Sequence, residues 1–182
     1  GVSLNRVLST ATSDLGFAAD LLYAVPLKLD PAKIPDPDSR IRGVRDGLAK
    51  ADGVAAATLA DNLPLAFRGE YTRTALQHDA DQAPNFVQAH AVRTDNDFLN
   101  TMEIPLLRGR GFTSEDRAGT ELVTIISKAL AEHLFPDDAG QAIGKRLIFG
   151  NDEKAMQTLT VIGVSSDFPT SQMSTKREQL LL

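Results

Sequence analysis

Residues 122–126 (Leu-Val-Thr-Ile-Ile) constrain the fold more than any other segment of the sequence. The run is almost entirely apolar and rich in β-branched residues, which is typical of a strand that is buried on both faces. We therefore expect a sheet that is covered by packed side chains on each side. Ser127 is a suitable N-cap for a short helix over residues 128–135, and Pro136 ends that helix.

Shorter apolar and alternating runs predict the other strands. Each run is bounded by glycine, proline or polar turn residues. Pro26 lacks a backbone N–H, which indicates an edge strand or a bulge in the first run. The predicted strands cover residues 21–29, 54–59, 70–78, 86–93, 144–149 and 157–164, with a short extended segment over 104–107 and a turn over 108–111.

Two further helices are predicted in the first half of the chain. One covers residues 38–50, where Asp36 or Asp38 can accept the free N–H groups of the first turn. Its apolar positions 41, 44 and 48 recur at the spacing of one helix face, and the basic residues between them are interpreted as a solvated face. Gly53 is a candidate left-handed C-cap. Asp95 can cap a shorter helix over residues 96–102.

The composition excludes several classes of protein. The chain has 182 residues, of which 42% are hydrophobic and 24% charged, as in an average soluble globular protein. The formal net charge of −5 is unfavourable for binding nucleic acid, which needs a concentrated basic surface. The absence of cysteine excludes disulfides, thiolate nucleophiles and Cys-ligated zinc. No stretch approaches the roughly 20 apolar residues that span a bilayer.

The sequence predicts no catalytic, cofactor or metal site. Ser165 follows a glycine at the spacing of a nucleophile elbow, but the second glycine of that motif is missing. Residues 140–145 (GQAIGK) have too few residues between the glycines for a phosphate-binding loop, so we predict a turn into a strand there. No histidine has a partner at metal-ligand spacing. The three histidines are His78, His90 and His133.

Residues 98–113 (FLNTMEIPLLRGRGFT), followed by Asp116, carry family information. The second half continues in matching order with residues 123–127, 129–131, 134–136, 143–145 and 161–164, and then Asp167. This ordered set resembles the MacB-like periplasmic core domain of ABC-transporter permeases in the FtsX-like family. The sequence of these segments is most similar to that of the large permeases of the acidobacterial type. The resemblance covers most of the chain.

The resemblance implies a set of signature positions with structural roles. Two positions depart from the family pattern. Glu103 stands where the family often has glycine, and Phe98 stands alone where the family often has a Tyr-Phe pair. Neither departure disturbs the pattern of apolar positions. The signature positions are Phe98, Met102, Pro105, Gly109, Arg110, Phe112, Asp116, Phe135, Pro136, Gly144, Lys145 and Gly163.

The resemblance also implies an α+β fold built from two small α/β subdomains. Residues 1–112 would form a porter-like subdomain that contains a βαβ unit, with residues 165–182 as its candidate completion. Residues 113–164 would form a second, smaller α/β subdomain. Residues 108–111 are the expected hinge, since a relay needs packed bodies that move about a short segment.

For function, the resemblance implies an extracytoplasmic domain without catalytic site, cofactor or metal. It would relay conformational change (mechanotransmission) between membrane helices and a periplasmic partner or substrate, as in efflux. The expected location is the periplasmic face of the cytoplasmic membrane. The chain would be a soluble fragment of a membrane protein with both ends facing the membrane. Expected partners are the transmembrane helices of the same permease, a cytoplasmic ATPase subunit and a periplasmic adaptor, and the isolated domain would be a monomer or weak dimer.

Two alternatives remain open. The chain could be an independent ligand- or adaptor-binding module, since an unusually apolar loop offers Leu63, Leu65, Phe67 and Tyr71 as a partner surface. It could also be a small α/β hydrolase, which would need a cleft with convergent polar groups and a carboxyl or imidazole of perturbed pKa. A contiguous exposed apolar patch would favour the first alternative, and such a cleft would favour the second.

Overall fold

The computed structural model describes residues 22–27, 35–61, 71–77, 83–116, 119–168 and 179–182. Within these residues the chain forms α-helices, strands and two short 3-10 turns, at Ala139–Ala142 and Glu153–Ala155. The helices are α1 (Pro37–Ala49), α2 (Phe98–Thr101) and α3 (Lys128–Leu134). The strands are β1 (Tyr71–Leu76), β2 (Val87–Val92), β3 (Leu106–Gly109), β4 (Val123–Ser127), β5 (Arg146–Phe149), β6 (Gln157–Ser165) and β7 (Gln179–Leu181).

The described strands belong to one sheet, in the order β3-β6-β4-β7-β2-β1-β5. Strand β6 also pairs with β5, so the sheet curls until six strands close into a ring, with β3 added to β6. The β4–β6 and β2–β7 pairs are parallel, and the other pairs are antiparallel. The first half of β6 pairs with β5 and its second half with β3, so this long strand holds three neighbours. The mixed sheet with few helices confirms the α+β class.

Strand β4 is buried on both faces, as residues 122–126 predict. Ile126 lies in one apolar cluster with Leu130 of α3, and the adjacent Ile125 lies in another with Phe98 of α2. The first apolar cluster consists of Val87, Ala89, Ile126, Leu130, Ala131, Ala142, Leu147, Phe149, Leu159, Val161 and Val164. The second apolar cluster consists of Val92, Phe98, Leu99, Met102, Ile104, Ile125, Phe168 and Leu181. Burial of large apolar side chains, at about 1.5–3 kcal/mol each, therefore fixes both layers onto the sheet.

The predicted N-caps of the two longer helices are confirmed. At α1, the Asp36 carboxylate accepts a hydrogen bond from the Ser39 backbone N–H at 3.1 Å. At α3, the Ser127 hydroxyl accepts one from the Leu130 backbone N–H at 3.2 Å. The two helices differ in their packing, because α3 buries Leu130 whereas α1 buries none of its residues.

The strand predicted over residues 54–59 is wrong. The structure has no strand there, and the nearest pairing is a single bridge between Ala60 and Thr94. The segment contains three successive alanines, which offer little side-chain surface for packing on a sheet. Hydrogen bonds from side chains hold the segment instead, as described below.

The strand predicted over residues 21–29 is also not formed in its described part, residues 22–27. Only Tyr23 takes part in a bridge. Tyr23, Val25 and Leu27 are exposed, so the alternating apolar pattern does not face a core. Pro26 cannot donate to a ladder, which is consistent with this result.

Three predicted boundaries also change. The turn expected over residues 108–111 is in part a strand, because β3 continues to Gly109. The helix expected over residues 96–102 is reduced to α2, of four residues. Gly53 does adopt a left-handed conformation, with φ of 78°, but α1 ends earlier, and Lys50 is its C-cap.

The sheet combines strands from both predicted subdomains. Strand β3, from residues 1–112, pairs with β6, from residues 113–164. Strand β7, from the last residues of the chain, lies between β2 and β4 and so joins the two predicted parts. The division of the chain near residue 112 stays a prediction, and any such boundary has to cross this shared sheet.

Candidate functional site

The signature segment, residues 98–116, runs from α2 through β3 into a loop that ends at Asp116. Helix α2 has only four residues, so tertiary packing rather than length has to stabilise it. Phe98 and Met102 are each 1% exposed and belong to the second apolar cluster. The Phe98 ring lies against the Phe168 ring, with centroids 6.2 Å apart. These two signature positions anchor the start of the segment in the core.

A Schellman motif ends α2. The Ile104 N–H donates to the Leu99 carbonyl at 2.8 Å, and the Glu103 N–H donates to the Asn100 carbonyl at 3.1 Å. Glu103 has φ of 52°, in the left-handed region that glycine enters with little strain. Leu99 and Ile104 supply the apolar contact that accompanies such a motif, since both belong to the second apolar cluster. The backbone therefore explains why glycine suits the position that Glu103 occupies.

Pro105 leads from this motif into β3. It is exposed, and its carbonyl accepts a hydrogen bond from the Ser166 N–H at 2.8 Å. The next residue, Leu106, pairs with Ser165 of β6. A proline is tolerated at this point because the strand has not yet begun and needs no N–H there.

Strands β3 and β6 are paired at two glycines, Gly109 and Gly163. Gly109 has φ of 74°. A Cβ atom on Gly109 would lie 2.1 Å from the Ile162 carbonyl oxygen, and one on Gly163 would lie 2.6 Å from the Arg110 carbonyl oxygen. The geometry requires glycine at both positions, because any side chain would collide with backbone atoms of the facing strand.

Beyond this crossing, Arg110 and Asp116 form a bidentate ion pair, here called the Arg110–Asp116 clamp. Two guanidinium nitrogens donate to the Asp116 carboxylate at 2.6 and 2.9 Å. Thr113 also donates to it, from the backbone N–H at 2.8 Å and from the hydroxyl at 3.1 Å. The hydrogen bonds from Arg110, assisted by those from Thr113, lower the pKa of Asp116 to about 2, although burial opposes the charge. The hydrogen bond with Asp116 in turn raises the pKa of Arg110.

The clamp closes a loop that is tied to the body of the domain at its Arg110 end. The Arg110 N–H donates to the Ile162 carbonyl of β6 at 3.0 Å. Within the loop, Phe112 is half-buried and packs against the second apolar cluster. The loop is therefore held by one aromatic side chain, one backbone hydrogen bond and one ion pair.

The Gly144-Lys145 pair forms a turn on the same part of β6. Gly144 has φ of 80°, and its N–H donates to the Val161 carbonyl at 2.8 Å. The Val161 N–H in turn donates to the Lys145 carbonyl at 2.9 Å. The turn leads into β5, so this segment is the predicted turn into a strand.

Phe135 and Pro136 lie at the end of α3. The Phe135 N–H donates to the Ala131 carbonyl at 2.9 Å, and its side chain packs against the first apolar cluster. Pro136 is exposed directly after the helix. These two residues thus belong to the α3 layer, whereas Gly109, Arg110 and Gly144 gather around β6.

The predicted partner surface is described at Tyr71 alone, because Leu63, Leu65 and Phe67 lie outside the described residues. Tyr71 begins β1 and is 38% exposed. Its ring centroid lies 4.2 Å from that of the buried His90 on β2. An amphipathic ring that is partly exposed suits a contact with another molecule, and the surface stays a prediction.

The sequence did not predict a polar junction around Asp95, here called the Asp95 junction. The Asp95 carboxylate accepts hydrogen bonds from the Thr58 hydroxyl and from the Leu59 N–H, the latter at 3.0 Å. It also forms an ion pair with Arg45 of α1 at 3.3 Å. The Arg45 guanidinium contacts Asp97 as well, at 2.5 Å. Interpreting Arg45 as part of a solvated face is therefore wrong, because its side chain is only 19% exposed.

A signal for this junction was present in the sequence. Positions 37, 41 and 45 recur at one-turn spacing, and they are the half-buried positions of α1. The apolar stripe at positions 41, 44 and 48 left Arg45 outside the predicted buried side. Asp95, expected to cap a helix, does accept the Asp97 N–H at 3.2 Å, but most of its hydrogen bonds go to a segment remote in sequence.

The chemistry of the signature segment is that of packing and closure. The Arg110 and Asp116 side chains form hydrogen bonds with each other. The required glycines have no side chain that could take part in chemistry. The Ser165 hydroxyl, considered above as a nucleophile, lies on a residue that is 1% exposed. In the part of the chain that the structure describes, no three His, Asp or Glu side chains are grouped to hold a metal ion. No helix in that part combines the length and apolar character needed to cross a membrane.

The fold and the signature segment together define a scaffold of the α+β class, in which a curled sheet is locked by backbone contacts. The sequence matches the model of the MacB-like periplasmic core domain over residues 4–182. The chain belongs to this family, which confirms the resemblance inferred from its motifs. No curated protein sequence matches the chain.

Two solved structures are similar to parts of this chain. One is the periplasmic region of MacB from Actinobacillus actinomycetemcomitans, at 15% identity and a TM-score of 0.52, covering 77% of this chain and 53% of that one. Another is the extracellular domain of the noncanonic ABC-type transporter YknZ from Gram-positive bacteria, at 21% identity and a TM-score of 0.48, covering 75% of this chain and 58% of that one. The chain thus spans little more than half the length of these two structures.

Proposed function

We propose that this domain is the extracytoplasmic part of an ABC-type permease and relays conformational change between the membrane helices and a periplasmic partner or passing substrate. It makes and breaks no covalent bond in this role. Membership of the MacB-like periplasmic core domain family supports the periplasmic setting. The main support for the relay is that several signature residues fix the positions of backbone segments. Gly109, Gly163 and the Arg110–Asp116 clamp all serve to hold backbone segments in fixed positions.

A relay requires a body that moves without deforming, because packed interfaces transmit displacement only when they keep their shape. The strands around β6 meet this requirement. Its nine residues pair with β3, β4 and β5. The paired glycines allow the backbone of β3 to lie close to that of β6. Polar side chains in the signature segment stiffen the same region, since the clamp joins the two ends of the loop after β3.

The proposed partners follow from this role. They are the transmembrane helices of the same permease, a cytoplasmic ATPase subunit and a periplasmic adaptor. The proposed location is the periplasmic face of the cytoplasmic membrane. The division into a porter-like part over residues 1–112 and a smaller part over residues 113–164 belongs to the same proposal, with β7 as the strand that joins them. We propose no catalytic residue, cofactor or metal.

A distance measurement in the full-length permease tests the relay. The domain contains no cysteine, so single cysteines at its exposed positions can be spin-labelled once any cysteines elsewhere in the permease have been replaced. One label replaces Glu132 on α3, and a second sits at the periplasmic end of the first membrane helix. We expect their distance to change between the nucleotide-free and ATP-bound states. A control pair within the body, at Gln88 and Glu132, should keep its distance in both states.

Two outcomes would contradict this proposal. One is an unchanged distance between the domain and the membrane helix in all nucleotide states. The other is a change of similar size within the control pair, which would mean that the body deforms rather than transmits. The coding sequence around the domain gives a simpler test, because a relay needs a membrane span on each side of it.

A second candidate function is the capture of an adaptor or ligand on the domain surface. The partly exposed Tyr71 ring, which lies tilted against His90, favours it. Replacing Tyr71 by alanine should weaken binding of a periplasmic adaptor to the domain. Replacing Tyr23, which is 62% exposed and remote in sequence, serves as the matched control. Equal binding by both variants and the unmodified domain would exclude Tyr71 from such a surface.

A further inference from the structure

Helix α1 is packed unlike the rest of the domain. It has thirteen residues, and none of them is buried. None of its side chains belongs to either apolar cluster or is among the half-buried side chains that pack against them. On its inner side Ile41 is only half-buried, and Val44 and Leu48 are 37% and 42% exposed. Burial of apolar surface therefore contributes little to holding this helix in place.

The attachment of α1 that the structure does show is electrostatic. The Arg45 guanidinium lies 2.5 Å from the Asp97 carboxylate and 3.3 Å from that of Asp95. The side chains of Arg45 and Asp95 are 19% and 17% exposed, so solvent screens this contact less than an ordinary surface ion pair. A third contact, between Arg45 and its neighbour Asp46 at 2.7 Å, lies within the helix and does not help to hold it.

The chain that follows α1 is fixed to the sheet independently of Arg45. The Asp61 N–H donates to the Arg93 carbonyl at 3.0 Å, and the Arg93 N–H donates to the Asp61 carboxylate at 3.0 Å. The Leu59 N–H donates to Asp95, and the Asp95 N–H returns to the Leu59 carbonyl at 3.2 Å. Residues 58–61 therefore stay with the end of β2 when the contacts of Arg45 are broken.

From this arrangement we infer that α1 is held by an electrostatic latch, formed by Arg45 on Asp95 and Asp97, which opens while the sheet stays folded. Opening breaks the contacts of Arg45 to two carboxylates and uncovers the half-buried Ile41. It disrupts no apolar cluster and none of the described strand pairings. Residues 50–57, which form neither helix nor strand, are the segment that absorbs the change in direction. Its role in transport rests on the proposed function, to which the latch adds α1 as a part that moves relative to the sheet.

Hydrogen exchange on the 182-residue chain tests the latch, with Arg45→Gln as the variant. Arg42→Gln is the matched control, because it removes the same charge from an exposed position one turn away. We expect the amides of α1 to exchange about ten-fold faster in Arg45→Gln than in the unmodified chain, with β4 and β6 unchanged. Arg42→Gln should leave α1 within about two-fold of the unmodified chain. Raising the salt concentration should act on α1 in the same direction as Arg45→Gln.

A double-mutant cycle sharpens this test. Asp97→Asn alone should also speed the exchange of α1, and the double variant should add little to the effect of Arg45→Gln, because both changes open one contact. Equal exchange of α1 in Arg45→Gln and Arg42→Gln would overturn the latch, and so would a parallel rise in β4 and β6. These measurements need no membrane, so the latch can fail while the proposed relay stands. The relay can also fail, in the spin-label test, while the latch stands.

Discussion

Helices α1 and α3 are attached to the domain by different kinds of contact, and the difference shows what stabilises each part of this domain. Helix α3 has seven residues, but Leu130 and Ala131 are completely buried in the first apolar cluster. Its first turn is capped by Ser127, and the Asp167 carboxylate accepts the Ala129 N–H at 2.8 Å. Helix α1 has thirteen residues and a good N-cap, yet none of its residues is fully buried. Length and capping start a helix, whereas its attachment to the sheet depends on tertiary contacts, which are apolar at α3 and ionic at α1.

The same contrast separates the body around β6 from the region of α1. In the body, contacts are made by backbone and by apolar side chains that cannot be exchanged for water without loss. At α1, the contacts are made by charged groups that water can replace. We therefore expect identical substitutions to have different effects in the two regions, and the following predictions are ordered from the largest expected effect to the smallest.

Replacing glycine by alanine should change the free energy of unfolding in opposite directions in the two regions. Gly109→Ala places a Cβ atom 2.1 Å from the Ile162 carbonyl oxygen at a residue with positive φ, so it should cost about 4 kcal/mol or prevent folding. Gly47→Ala, within α1 and with no atom near its added Cβ, should raise the free energy of unfolding by about 0.5–1 kcal/mol. Denaturant unfolding measures both. Gly111→Ala, two residues from Gly109 and without a clash, is the local control, and a large loss there would contradict the explanation.

Shortening a leucine should separate the two helices clearly. Leu130→Ala, in α3, should lower the free energy of unfolding by about 3 kcal/mol, because it leaves a cavity in the first apolar cluster. Leu48→Ala, in α1, removes a side chain that is 42% exposed and should cost about 0.5 kcal/mol or less. Urea unfolding followed by circular dichroism gives both values. Similar losses in the two variants would mean that α1 is packed as tightly as α3.

The Arg110–Asp116 clamp should make stability depend on pH in the acid range. The folded-state pKa of Asp116, about 2, lies below its ordinary value of 3.8, so the clamp stabilises the fold above pH 4 and is lost as the pH falls through 2. Asp116→Asn should therefore cost about 1 kcal/mol at neutral pH, after allowance for solvent screening, and nothing near pH 2. Thermal unfolding between pH 2 and 7 measures this difference. Glu115→Gln, at the exposed neighbour, should follow the unmodified chain, and a constant offset of Asp116→Asn at all pH values would argue against the clamp.

The smallest expected effect is a gain in stability at Glu103. Glycine at this left-handed position removes the strain of a side chain with φ of 52°, so Glu103→Gly should add about 0.5–1 kcal/mol. The same substitution within α3, Glu132→Gly, should cost about 1 kcal/mol, because glycine weakens a helix interior. Melting temperatures should thus move in opposite directions. A loss at Glu103 would show that its side chain contributes more than its backbone conformation costs.

Much of the body could be predicted from the sequence, because its signals are local or strongly patterned. The run at residues 122–126 predicts burial on both faces, and β4 is buried in this way, although Leu122 before it is exposed. Ser127 and Asp36 cap helices because their side chains reach N–H groups within the next turn. The family pattern identified Gly109 and Gly163 as signature positions. Only the sheet shows that the two residues are paired and that a side chain on either would collide with backbone atoms. The strands predicted over residues 21–29 and 54–59 are the failures, since extended propensity cannot tell whether a partner strand is available.

The sequence by itself determined the N-caps of α1 and α3, the buried strand β4, and the family to which the chain belongs. The tertiary structure alone decided that β6 holds three neighbours, that Arg110 meets Asp116 in a closed loop, and that Arg45 attaches α1 to Asp95 and Asp97. The physical reason is the range of the interactions. Caps and periodic burial depend on residues within one or two turns, whereas strand partners and ion pairs between remote segments depend on how the whole chain is closed.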